Sequence, residues 1–107
     1  MKKLVLIITF ISISLSSISE ELIIDVRTFE EWNQGQLSSA KRIEWQEISK
    51  KIQDLNTKKD DQIILYCQSG KRAEKAKIIL NGLGYVNVIN AGSLLEAKTL
   101  IDDLVEK

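Results

Sequence analysis

Ile63-Ile64-Leu65-Tyr66-Cys67-Gln68-Ser69-Gly70-Lys71-Arg72-Ala73 is the stretch on which the fold turns. Four apolar or aromatic residues run into the only cysteine of the chain, and a polar loop with one glycine follows. Beyond it, Ala73, Ala76 and Leu80 recur at helical spacing. The pattern is a buried strand, a tight loop and a helix start. Backbone N–H groups in such a loop point inward, and the helix N-terminus adds partial positive charge. Both favour a thiolate at Cys67, and the thiolate is the nucleophilic form. Lys71 and Arg72 bring two cations to the same place.

Working outward, the flanking segments alternate strand and helix. Leu22-Ile23-Ile24-Asp25-Val26 is continuously apolar but for Asp25, as expected of a parallel strand covered on both faces. Thr28-Phe29-Glu30-Glu31 is a capping box opening a short helix that ends near Gly35. Ile48, Ile52 and Leu55 form one stripe on a helix of about three turns. The charges around them (Lys50, Lys51, Asp54, Lys58, Lys59, Asp60, Asp61) read as solvated surface. Gln62 to Tyr66 is the central strand. In the helix after the cysteine loop, Glu74 is placed to pair with Lys77 on the exposed side, and Gly82 and Gly84 end the helix. Val86 to Ile89 is a short strand. Ser93-Leu94-Leu95-Glu96 is a second capping box, and Leu94, Ala97, Ile101 and Leu104 stripe a C-terminal helix. This order predicts an α/β domain with a mainly parallel central sheet flanked by helices on both faces. In such sheets sites lie at the C-terminal ends of the strands, where Cys67 falls.

Composition narrows the chemistry. The 107 residues carry fifteen basic and fifteen acidic side chains, so no basic excess is available for nucleic acid. The length suits one domain, expected as a monomer. Histidine is absent and cysteine occurs once, which argues against a zinc site and removes the commonest general base. Residues 1–19 have a layout of their own. Met1-Lys2-Lys3 is basic, Leu4 to Ile13 is almost wholly apolar, and Ser17 and Ser19 are small residues before Glu20. That is the layout of a secretory signal peptide cut after Ser19. The apolar run is short for a spanning helix, which needs about 20 residues. No stable membrane insertion is expected after cleavage, and the protein is expected to be periplasmic or otherwise exported. Residues 20–107 would form the single domain, with a formal charge of −2 once Lys2 and Lys3 are lost from the neutral chain.

The motifs resemble a known family. Tyr66-Cys67-Gln68-Ser69-Gly70-Lys71-Arg72-Ala73 is similar to the active-site loop of the rhodanese family of sulfurtransferases. Ile24-Asp25-Val26-Arg27, Glu31-Trp32 and Gly35 resemble an upstream signature of that family, and Gly84-Tyr85-Val86 with Asn90-Ala91-Gly92 a downstream one. The three lie in family order across roughly residues 22–92, and the nearest subtype is the small, single-domain, exported rhodanese. Three positions depart from the family pattern: Gln36 stands for histidine, Ser39 for glycine and Glu44 for proline.

The resemblance implies a rhodanese-like fold and a thiosulfate sulfurtransferase without cofactor or metal. Cys67 would be the catalytic nucleophile. Gln68, Ser69, Gly70, Lys71 and Arg72 would form the loop that binds the substrate, with Lys71 attracting an anionic donor. Asp25 and Arg27 would support the site structurally, and an Asp25–Arg72 pair is one further arrangement. Trp32 and Trp45 read as core or lid residues. The implied reaction passes a sulfane sulfur from thiosulfate, or a persulfide donor, through a Cys67 persulfide to cyanide or a thiol. The acceptor in the cell would be a thiol or a partner protein.

Three other classes fit parts of the pattern. One is a persulfide carrier or rhodanese-like binding module without turnover. A cysteine-dependent phosphatase or arsenate reductase is the second, although such loops have five residues between Cys and Arg and this chain has four. The third, a thiol–disulfide oxidoreductase, lacks the second cysteine it needs.

Overall fold

The computed structural model describes residues 21–105; the segment read as a signal peptide lies outside them. Four strands and four helices follow one another: β1 (Glu21–Asp25), α1 (Phe29–Asn33), β2 (Lys41–Arg42), α2 (Ile48–Lys51), β3 (Gln62–Tyr66), α3 (Lys71–Gly82), β4 (Val88–Asn90) and α4 (Leu94–Val105). The strands form one sheet in the order β2-β1-β3-β4, with all three pairings parallel. This is the mainly parallel α/β architecture, with helices on both faces, that the sequence predicts.

β3 is central because its side chains are apolar on both faces. Ile63, Leu65 and Cys67 face one core with Ile24 and Val26, packed against Ile48, Ile52, Ala73, Ala76 and Leu80. Ile64 and Tyr66 face the other core with Ile23, against Ala97, Leu94 and Ile101 of α4. Each fully buried Ile or Leu contributes roughly 1.5–3 kcal/mol, so the two-sided strand is the main source of stability. The register places Asp25 beside Tyr66 and Leu65 beside Asn90. The C-terminal ends of β1, β3 and β4 therefore meet around Cys67.

Several boundaries and contacts differ from the sequence expectation. Val26 lies past the end of β1, although its N–H still donates to Tyr66 O at 3.0 Å, so the ladder runs one residue further. The last strand begins at Val88 rather than Val86, whose exposed side chain has no sheet face to cover it. The expected three-turn helix over Ile48–Leu55 is one α turn between two 3-10 turns, Trp45–Glu47 and Ile52–Leu55. No side chain caps either end of that α turn, and Asn56 stops the segment in a left-handed conformation.

Asp61 is not solvated surface: it is buried, and its carboxylate accepts the Lys58 N–H at 2.9 Å. Lys59 lies over the Tyr85 ring, 4.7 Å from its centroid. Glu74 accepts from Asn90 Nδ2 rather than pairing with Lys77. Leu104 is exposed at the end of the α4 stripe, because the sheet no longer lies beneath it. Glu44 stands where the family pattern has proline, and it adopts φ −60° and ψ 146°, angles open to proline.

Candidate active site

The strand β3 ends by delivering Cys67 to a fully buried position under its own loop. The Cys67 N–H donates to Gly92 O at 2.9 Å, which ties the start of the loop to the segment after β4. The chain then turns back over the sulfur. Gly70 makes this turn with φ 96°, a left-handed conformation that costs a side-chain-bearing residue free energy. A Cβ there would also lie 3.4 Å from Gly92 Cα, so the loop and the Gly92 backbone approach closely. Gly70 is the N-cap of α3 and has no side chain with which to cap it. The cysteine sulfur fills that role. Sγ accepts the Gly70 N–H at 3.0 Å and the Ala73 N–H at 3.4 Å. Both N–H donors and the helix N-terminus turn partial positive charge towards the sulfur.

The loop is held in place from β4. Asn90 Nδ2 donates to Gly70 O at 2.9 Å and to Glu74 Oε1 at 3.1 Å, while Asn90 Oδ1 accepts the Gly92 N–H at 3.0 Å. One amide side chain thus fixes the turn residue, the first turn of α3 and the segment that binds Cys67.

Arg72 forms a fork with Glu31. Its Nη1 and Nη2 donate to the two carboxylate oxygens at 2.8 and 2.9 Å. These hydrogen bonds, ahead of any other influence, hold the Glu31 carboxyl at about 2 instead of its ordinary 4.5. They also raise the pKa of Arg72. Glu31 also completes the capping box of α1, accepting from Thr28 N at 3.0 Å. Asp25 takes a different partner. Its Oδ1 accepts from Arg27 Nε at 2.9 Å and its Oδ2 from Arg27 Nη2 at 2.7 Å, and that Nη2 also donates to Gly35 O. The pair is buried, with the Arg27 guanidinium 5.5 Å from the centroid of the Tyr66 ring. The Asp25–Arg72 pairing is therefore corrected: each has its own partner, because a forked guanidinium–carboxylate pair leaves little for a third group. Burial raises Tyr66 to about 12, and its hydroxyl oxygen accepts the Leu37 N–H at 3.2 Å.

Of the remaining loop residues, Gln68, Ser69 and Lys71 are exposed. Lys71 forms no ion pair among the described residues, so its charge is free to act on a solute. A depression of about 460 Å³ lies beside the loop, lined among others by Ser69, Lys71, Glu74, Asn90 and Glu96. Trp45 packs on the core and Lys75 covers its ring at 4.8 Å, so it is not offered for stacking. Among the described residues no cluster of three or more His, Cys, Asp or Glu is placed to hold a metal. No helix among them is long and apolar enough to cross a membrane.

Ala73, Glu31 and Asn90 are the contributors that sequence reasoning did not assign to the site. Ala73 acts through its backbone, which composition does not reveal. Glu31 was legible as a cap and as part of a motif, and Asn90 only as part of a motif.

Comparison with known proteins agrees with the geometry. A model of the rhodanese-like domain matches residues 14–94. The thiosulfate sulfurtransferase PspE of Escherichia coli is 36% identical over 81 residues, covering 76% of this chain and 78% of that protein. A solved rhodanese with anions from E. coli superposes with a TM-score of 0.68 at 36% identity, over 71% of this chain and 89% of that one. The human single-domain sulfurtransferase TSTD1 superposes with a TM-score of 0.62 at 29% identity, over 76% of this chain and 81% of that one. The order of the sheet, the cysteine turned under its loop and the extent of these matches have one source: the chain belongs to the rhodanese-like family of sulfurtransferases.

Proposed function

We propose that the chain is a thiosulfate sulfurtransferase working through a persulfide on Cys67. The observation that carries the reading is the pair of N–H donors, Gly70 and Ala73, aimed at Cys67 Sγ. The Cys67 thiolate attacks the outer sulfur of thiosulfate, or of a persulfide donor. The S–S bond of the donor breaks, and sulfite from thiosulfate, or a thiolate from a persulfide, leaves with the bonding pair. Cys67 then carries the sulfane sulfur, and the loop amides oppose its negative charge as a preorganised electrostatic cradle. Cyanide or a thiolate takes the outer sulfur in the second half-reaction and returns Cys67 as thiolate. The mechanism is written from the thiolate and uses no histidine base, in keeping with a chain that has no histidine. Neither half-reaction requires a cofactor or metal.

Lys71 attracts the anionic donor. Arg72 braces the loop instead, since both its Nη atoms are committed to Glu31. That fork favours a bracing role for Arg72 over a phosphatase or arsenate reductase reading, in which the guanidinium would face the bound oxyanion. The protein acts as an exported monomer on small solutes, without nucleic acid.

The test is the intact mass of the purified chain after incubation with thiosulfate. A gain of one sulfur atom, absent in Cys67→Ser, is expected. No gain in the native chain sinks the proposal. Persulfide formation without multiple turnover to cyanide or a thiol would select the carrier reading instead.

A further inference from the structure

Gly70 has no side chain to secure its own conformation. Its φ of 96° suits glycine, and glycine is also the residue that leaves such a conformation most readily. The peptide after it decides which polar group faces the start of α3. A trans peptide is planar, so Gly70 C=O and Lys71 N–H point in opposite directions. Gly70 O is turned along α3, where it accepts the Glu74 N–H at 2.9 Å. The Lys71 N–H is therefore turned off the start of α3, the end at which Cys67 Sγ accepts from Gly70 and Ala73. Rotating this one peptide would exchange the two and set a carbonyl oxygen towards that end.

Asn90 stands against the rotation from outside the loop. Its Nδ2 donates to Gly70 O at 2.9 Å and to Glu74 Oε1 at 3.1 Å, and its Oδ1 accepts the Gly92 N–H at 3.0 Å. These neighbours fix which end of the amide is which, since a carbonyl and a carboxylate both need a donor and an N–H needs an acceptor. Gly92 also forms the opposite wall. Its Cα lies 3.4 Å from the place of a Cβ on Gly70, and its carbonyl accepts the Cys67 N–H. One amide thus spans the closest approach around the cysteine.

We infer that Asn90 is a positioning residue for sulfur transfer. By holding Gly70 O outward it keeps an N–H, and not a carbonyl oxygen, at the end of α3 where the sulfur reacts. The inference rests on the persulfide mechanism proposed above. Both half-reactions move negative charge at that end. A fixed N–H there stabilises the charge, and a carbonyl oxygen in its place raises the barrier.

The experiment loads the full chain over a series of thiosulfate concentrations at high salt and follows the gain of one sulfur atom in a single turnover. The rate constant is read from the fraction that loads, so unfolded protein lowers the amplitude and not the constant. Asn90→Ala should lower the maximal loading rate by about tenfold, short of the roughly hundredfold that follows outright loss of such a donor. Half-saturation should stay within about twofold of native, because Lys71 is untouched. Asn90→Asp, the closest match in shape, should load more slowly than Asn90→Ala. It keeps only the bond from the Gly92 N–H and sets a carboxylate oxygen against Gly70 O, while salt screens its charge from the donor. A side chain needed only for packing gives the opposite order, with Asp the better replacement. Maximal rates within about twofold of native, a loss confined to half-saturation, or Asn90→Asp loading faster than Asn90→Ala overturns the inference. A native chain that gains no sulfur overturns the persulfide mechanism itself.

Discussion

At Cys67 the sulfur replaces a capping side chain, and this explains why the loop needs glycine at position 70. A residue with a hydroxyl or carboxylate there would have to adopt φ 96° and would compete for the N–H groups that the sulfur uses. Lys71, next to it, has a simpler part. Its exposed charge acts on approaching anions through water, so Lys71→Ala should slow the donor half-reaction by about tenfold or less. The loss should shrink at high salt, and it should be smaller for cyanide, with one charge, than for thiosulfate, with two. Stopped assays of the two half-reactions over a salt series check this. An unchanged rate with thiosulfate at low salt would make Lys71 surface decoration only. The residues of the loop were legible in sequence because they are contiguous. Their brace was not: Arg72 and Glu31 are 41 residues apart, and nothing local marks one as the partner of the other.

At the level of elements, the Glu31–Arg72 fork joins the first turn of α1 to the first turn of α3. Both helix starts are thus fixed to each other across the top of β1 and β3. The linkage has a definite sign. The Glu31 carboxyl sits at about 2 in the folded chain against an ordinary 4.5, so folding favours its charged form. Its contribution is complete above about pH 4.5 and is lost as the pH falls towards 2. Glu31→Gln should lower stability by about 1 kcal/mol at neutral pH and flatten the acid limb of the stability curve. Urea midpoints at pH 7 and pH 3 for both proteins measure it; equal losses on acidification would remove Glu31 from the account. Element types were largely legible. Both capping boxes form as their sequences predict, with the Ser93 and Glu96 pair at 2.9 and 3.1 Å. The stretch around Ile48 and Ile52 was legible as a buried stripe, but not as a broken helix. Periodicity reports which side chains are buried, while the hydrogen-bond pattern beneath them depends on caps and on packing.

For the whole molecule, the continuous apolar runs of β1 and β3 were enough to announce a parallel sheet and helices on both faces. The strand order β2-β1-β3-β4 was not read from the sequence, because alternation and crossover handedness leave several orders open. The position of the site followed instead from the strand ends, since Cys67 and Gly92 both lie past them. The meeting of Asn90 with Gly70, twenty residues earlier, required the register of β3 on β4. The layout of residues 1–19 carries a separate expectation. Protein recovered from the cell envelope should begin at or within a few residues of Glu20, as read by N-terminal sequencing. An intact Met1 on protein from the cytoplasm would remove export from the picture.

A single, fully buried cysteine has one more consequence. Under the proposed mechanism, a sulfur stored on it would have no exit within the chain, because no second thiol exists to displace it. Discharge would then be second order, with the lifetime of the loaded form set by the concentration of acceptors outside. The same holds for damage. An oxidised Cys67 has no resolving neighbour, so its repair must come from a thiol in solution small enough to reach beneath the loop.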